Sequence, residues 1–157
     1  MSIRAVDDGE CGFRLLSPRN EMVGWVRGRV VGVDGFADED SAIHAAVRAY
    51  RVLVRWLARH GLEPLPPIGD GPIHRVHDGT RRWILCDGVP VARLPRLAQR
   101  HRGAPPRHSF EIVLRGGVND GMAIHAALIT LRAAHGRISV GDVAGPYPAS
   151  IRAPRAP

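Results

Sequence analysis

The sequence predicts an α+β fold: two pseudo-repeated strand–strand–strand–helix units joined in one antiparallel sheet, with the helices packed on one face. Three observations carry that expectation. Ala42-Ile43-His44-Ala45-Ala46 recurs as Ala123-Ile124-His125-Ala126-Ala127. Extending both copies without gaps pairs Val31 with Ile112, Val33 with Leu114, Gly35 with Gly116 and Asp38 with Asn119. Short apolar runs with hairpin signals are grouped ahead of each helix, the pattern of an antiparallel sheet covered by helices.

In the first half, Phe13-Arg14-Leu15-Leu16 is a short apolar strand. Val23 to Val33 alternates loosely around Trp25, Val26, Val30, Val31 and Val33, and Gly28 and Gly32 mark a bend, bulge or turn within it. A helix follows from Asp38 or Asp40 to His60. Aspartates at its start suit the free N–H groups of the first turn, and Gly61 suits the C-terminal cap. Ile43, Val47, Tyr50, Leu53, Val54 and Leu57 gather on the side that should meet the sheet. Arg48, Arg51, Arg55 and Arg59 gather roughly opposite, with His44 beside them. Trp56 adjoins the apolar sector and reads equally well as core or as the anchor of a dimer contact.

Gly61 to Pro72 holds Pro64, Pro66, Pro67 and Pro72 and reads as a stiff connector. In the second half, Arg82 to Cys86 leads through Asp87-Gly88 into Val89 to Leu94. Asp-Gly between apolar runs is a hairpin signal, because a type I′ turn needs positive φ at both central residues. Pro90 places the return strand near an edge. Ser109 to Leu114 is a third strand, and a second helix runs from Asn119 to His135, ending at Gly136. Ile124, Leu128 and Leu131 occupy one side of that helix, while Met122 and Ile129 lie nearly opposite. A helix apolar all round is buried on more than one face, by the first half or by another subunit. A homodimer through helix two and Trp56 is therefore expected. The organisation reads as a first half at 1–62, the connector at 63–73, a second half at 74–143 and a Pro/Ala/Arg tail at 144–157, merged into one domain.

At 157 residues the chain can bury roughly 70% of its unfolded surface, so it needs no disulfide framework or structural metal to fold. Cys11 and Cys86 sit in different halves, and neither belongs to a CxxC pair. The start lacks the apolar stretch of a signal peptide, and no apolar run approaches the roughly 20 residues that span a bilayer. A cytoplasmic setting is the expectation. The net charge is +7, from 22 basic against 15 acidic residues, and every basic residue is arginine. Total exclusion of lysine in an Ala-, Gly- and Pro-rich chain points to a GC-rich, bacterial coding sequence and weakens the inference from charge alone. The distribution says more: residues 1–60 hold nine arginines and eight acids, residues 61–157 thirteen and seven.

The densest basic segment is Arg93, Arg96, Arg100, Arg102 and Arg107, which contains no acid. It is the first candidate for phosphates or an acidic protein surface, although it lacks the aromatic residue that base stacking needs. The helix stripe of Arg48, Arg51, Arg55 and Arg59 is the second. His74 and His77 form the tightest histidine pair, in a loop, and would ligate a metal only with a third ligand that no recognisable spacing supplies. His44 and His125, matched by the repeat, are the candidates for ligand binding or acid–base work if they share a cleft. No GxSxG, P-loop, GxGxxG or HExxH motif is present. The leading expectation is a non-enzymatic binding or assembly module that contacts nucleic acid or an acidic protein through arginines, with no cofactor and no metal. The alternative is a small enzyme or ligand-binding domain using His44, His125 or the His74–His77 pair.

Overall fold

The computed structural model describes residues 3–9, 12–95, 107–116, 118–136 and 143–144. β1 (Ile3–Asp7), β2 (Gly12–Leu16), β3 (Met22–Arg27) and β4 (Val30–Phe36) precede α1 (Glu39–Arg59). β5 (Ile73–His77), β6 (Arg82–Cys86), β7 (Val89–Leu94) and β8 (His108–Val113) precede α2 (Asp120–His135), and β9 (Val143–Ala144) follows. All the described strands join one sheet in the order β5-β6-β7-β8-β4-β3-β2-β1-β9. Eight strands pair antiparallel with their neighbours, and β9 adds a short parallel pair at β1. The described residues thus form an α+β fold with an antiparallel sheet and two helices.

Each helix follows four strands, not three. Val23 to Val33 is a hairpin, with Gly28 at φ +59° in its turn. β1 and β5 are the additional strands. β5, Ile-His-Arg-Val-His, is exposed along its whole length and is held by backbone pairing with β6. A strand with no buried side leaves no alternating apolar pattern to read. The β6–β7 hairpin has the expected turn, with Asp87 at φ +53° and Gly88 at φ +77°. Pro90 does not mark an edge: β7 lies between β6 and β8, and Pro90 sits beside a register shift in the β6–β7 ladder. A bulge tolerates a residue that cannot donate to the ladder.

Local chemistry sets the helix ends. Asp38 caps α1 by accepting from the Ser41 amide at 2.7 Å, and Asn119 caps α2 through the Met122 amide at 2.8 Å. The Ser41 amide also holds the Asp38 carboxyl below its ordinary value. Gly61 (φ +64°) and Gly136 (φ +67°) stand where the chain leaves each helix, in the left-handed conformation that glycine adopts most readily.

The helices cross over. α1 packs on β7 and β8, α2 packs on β3 and β4, and the helices pack against each other. Ile43, Val47, Tyr50, Leu53 and Leu57 are buried on α1, as their spacing predicts. On α2, Ile124, Leu128 and Leu131 are buried, with Met122 and Ile129 partly so. The enclosure of α2 and of Trp56, which is 5% exposed, is met by contacts within the chain. Neither supplies the free apolar surface on which a homodimer was expected.

Tyr50 ties α1 to the connector. Its hydroxyl donates to the Pro66 carbonyl at 2.5 Å, the ring is 1% exposed, and burial pushes the phenol up to about 12. Tyr50→Phe should cost about 1 kcal/mol in urea unfolding at neutral pH. A phenol raised in the folded state contributes fully below its ordinary value near 10. That contribution falls as pH climbs towards 12, so the gap between wild type and variant should close over that range.

Candidate functional site

The strands place alternate side chains on opposite faces. One face carries Val26, Val31, Val33, Ile84, Phe110 and Ile112, all buried beneath or beside the helices. No described helix packs on the other. The strand register lines up a row across this open face: Val6, Arg14, Trp25, Gly32, Glu111, Arg93, Trp83 and Val76. Trp25 and Trp83 are half-buried, Arg14 and Val76 exposed.

The middle of the row is locked. The Trp25 indole N–H donates to Glu111 Oε2 at 2.9 Å, and Arg93 Nε meets Glu111 Oε1 at 3.0 Å. The Arg93 and Glu111 side chains are only 15% and 18% exposed, so this pair is better shielded than a surface ion pair. Gly32 makes room for the ring: a Cβ there would stand 1.9 Å from Trp25 Cε2. The indole therefore lies over the glycine backbone with its edge pinned.

Two cavities flank the row. One of about 400 Å³ is lined by Trp83, Pro90, Val113 and Leu114, with Arg29 and Arg115 beside them and Glu63 also in its wall. The other, about 350 Å³, is lined by His77, Arg81, Arg82, Arg93 and Glu111. Arg82 is committed to Glu39 at 2.5 Å. The guanidinium groups of Arg14, Arg29, Arg81 and Arg115 meet no acid among the described residues. Near them stand Glu111, which Arg93 neutralises, Glu63, and Asp78, which accepts from the Trp83 indole at 3.2 Å.

A third cavity, about 920 Å³, lies on the helix side. Asp38, Asp40, Ser41, His44 and Arg48 line it from the start of α1, Ala134 and His135 from the end of α2, and Phe36 from β4. His44 Nδ1 lies 2.7 Å from the Asp40 carbonyl, and His135 Nε2 lies 2.8 Å from the Asp34 carbonyl. A carbonyl only accepts, so both nitrogens carry hydrogen; in the neutral rings, His44 Nε2 and His135 Nδ1 are acceptors. His135 also stacks on Phe36 with centroids 4.6 Å apart. Arg48 donates to the Ala134 carbonyl at 3.2 Å, a favoured place for a cation at the C-terminal end of a helix. No hydrogen bond joins Ser41 to His44, so a nucleophile–base pair is not assembled there.

The structure separates the residues nominated by sequence. Arg96, Arg100 and Arg102 lie outside the described residues. Arg93 is held by Glu111, Arg107 meets Glu21 at 3.3 Å, and Arg51 meets Asp70 at 3.2 Å. Arg55 and Arg59 are exposed. His125 does not share the cavity of His44; it is 7% exposed and packs 5.4 Å from Trp56. His74 and His77 are on β5, not in a loop, and their odd spacing sends them to opposite faces of that strand. Among the described residues, no three His, Cys, Asp or Glu side chains are grouped to hold a metal ion. No described helix is long and apolar enough to cross a membrane. Sequence reasoning missed Trp25, Trp83 and Glu111 as site residues. The alternation within each strand marks them, but only the cross-strand register brings them together.

Gly32→Ala should displace the Trp25 ring and cost about 1–3 kcal/mol of stability. A changed near-ultraviolet dichroism signal should accompany that loss, and an unchanged signal would mean that the indole does not rest on Gly32.

No protein-family profile, curated protein or solved structure matches this chain.

Proposed function

We propose that the chain is a non-enzymatic binding module whose working surface is the open face of the sheet, and that its partner is acidic. The supporting observation is the row of Arg14, Trp25, Glu111, Arg93 and Trp83, fixed across strands from both halves and flanked by two arginine-lined cavities. A tryptophan pinned at its edge and packed on backbone loses little conformational freedom on binding, which is what an anchor residue requires. Arginines without acidic partners provide attraction that the internally paired ones do not.

Two double variants with equal charge change separate this face from the helix stripe. Arg29→Glu/Arg115→Glu should abolish retention on a heparin column at physiological salt. Arg55→Glu/Arg59→Glu should elute close to the wild type. The reverse order would move the binding surface to α1.

A second reading rests on the helix-end cavity, where two imidazoles have one nitrogen each fixed by a backbone carbonyl. With Asp38, Asp40 and the carbonyl end of α2 around it, this cavity suits a small ligand rich in hydrogen-bond donors. Calorimetric titration with simple amines and guanidinium compounds should give heat that His44→Ala removes. Heat retained in that variant would discard the cavity as their site.

A further inference from the structure

We infer that the acidic partner of the open sheet face is a single-stranded nucleic acid, held by base stacking on Trp83 and Trp25 with its phosphates on the surrounding arginines. The inference rests on the reading of this face as an acidic-partner surface and narrows it to one chemistry. Charge attracts any polyanion. Two tryptophans distinguish one polyanion from another, because a nucleobase offers a flat π-face and a carboxylate does not. The cavity at Trp83 combines that indole with Pro90 and Val113 as apolar walls and with Arg29 and Arg115 as cations, within about 400 Å³. Trp25 lies four strand spacings away, roughly 19 Å along the row. Arg14 stands directly opposite Trp25 in the ladder, and Arg93 directly opposite Trp83.

Single strands fit this face better than duplex. In a duplex the bases are already stacked on one another, and their π-faces are unavailable to an indole lying flat on a sheet. A single strand can lay one base on each tryptophan, with further nucleotides spanning the gap between them, while its backbone passes Arg14, Arg29, Arg81 and Arg115. If each of those four guanidinium groups met one phosphate, log K would fall with log salt with a slope of roughly −3, at about −0.7 per contact.

The test uses the full chain, its tryptophan fluorescence, and three probes: a mixed-sequence single-stranded 12-mer, its blunt duplex, and poly-glutamate. The 12-mer should quench fluorescence and bind more tightly than the other two. Trp83→Leu and Trp25→Leu should each weaken it about tenfold. Arg14→Gln and Arg29→Gln, exposed positions whose change leaves the fold alone, should each flatten the salt slope by about 0.7. Circular dichroism of every variant separates lost binding from lost folding. Poly-glutamate or duplex binding as tightly as the 12-mer, with the tryptophan variants unaffected, would overturn the nucleic-acid inference and leave the acidic-partner reading standing. Binding of none of the three at 50 mM salt would overturn both.

Discussion

Where β4 runs beside β8, from the Val30–Val113 pair to the Phe36–His108 pair, two four-stranded meanders become one sheet. Both faces depend on that junction. On the helix side it brings β7 and β8 under α1 and β3 and β4 under α2, so neither helix buries its apolar side on the strands of its own half alone. On the open side it brings Glu111 of β8 within reach of Trp25 of β3 across Gly32 of β4. Slipping β8 by one residue against β4 would turn the buried Phe110 and Ile112 outward and Glu111 inward. The buried face therefore fixes the register, and the register in turn builds the row on the exposed face.

What was legible in the sequence is what short-range chemistry decides. Asp38 and Asn119 cap helices because their side chains reach amides three residues on, and Asp87-Gly88 turns because both residues accept positive φ. The core side of α1 follows from its period. β5 was not legible, since all five of its residues face water and its place depends on β6. The pentapeptide shared by the two helices places His44 at an exposed cavity wall and His125 in a buried aromatic cluster. Identical local sequence cannot distinguish them, because the neighbours that do so come from the other half of the chain.

The arginine excess is equally ambiguous in the sequence, because only the fold gives each guanidinium its partner. A guanidinium held by a shielded carboxylate, as Arg93 is by Glu111, fixes the fold locally and contributes little field outside. One in water beside an aromatic ring, such as Arg14 in register with Trp25, keeps its field. Total charge counts both alike. The residues that give this face its character come from β2, β3, β6, β7 and β8, and nothing in a linear reading places them side by side.

The crossing of the helices also bears on how the protein is made. α1 ends at Arg59, yet the strand on which much of it rests ends at Val113. During synthesis, at 5–20 residues per second, its apolar side waits roughly 3–10 seconds before that strand emerges. An amphipathic helix without its sheet is a natural substrate for chaperones, and contacts this distant in sequence form late. A nascent chain stopped after α1 is thus an exposed intermediate rather than a smaller protein, and the two halves must reach the folded state together.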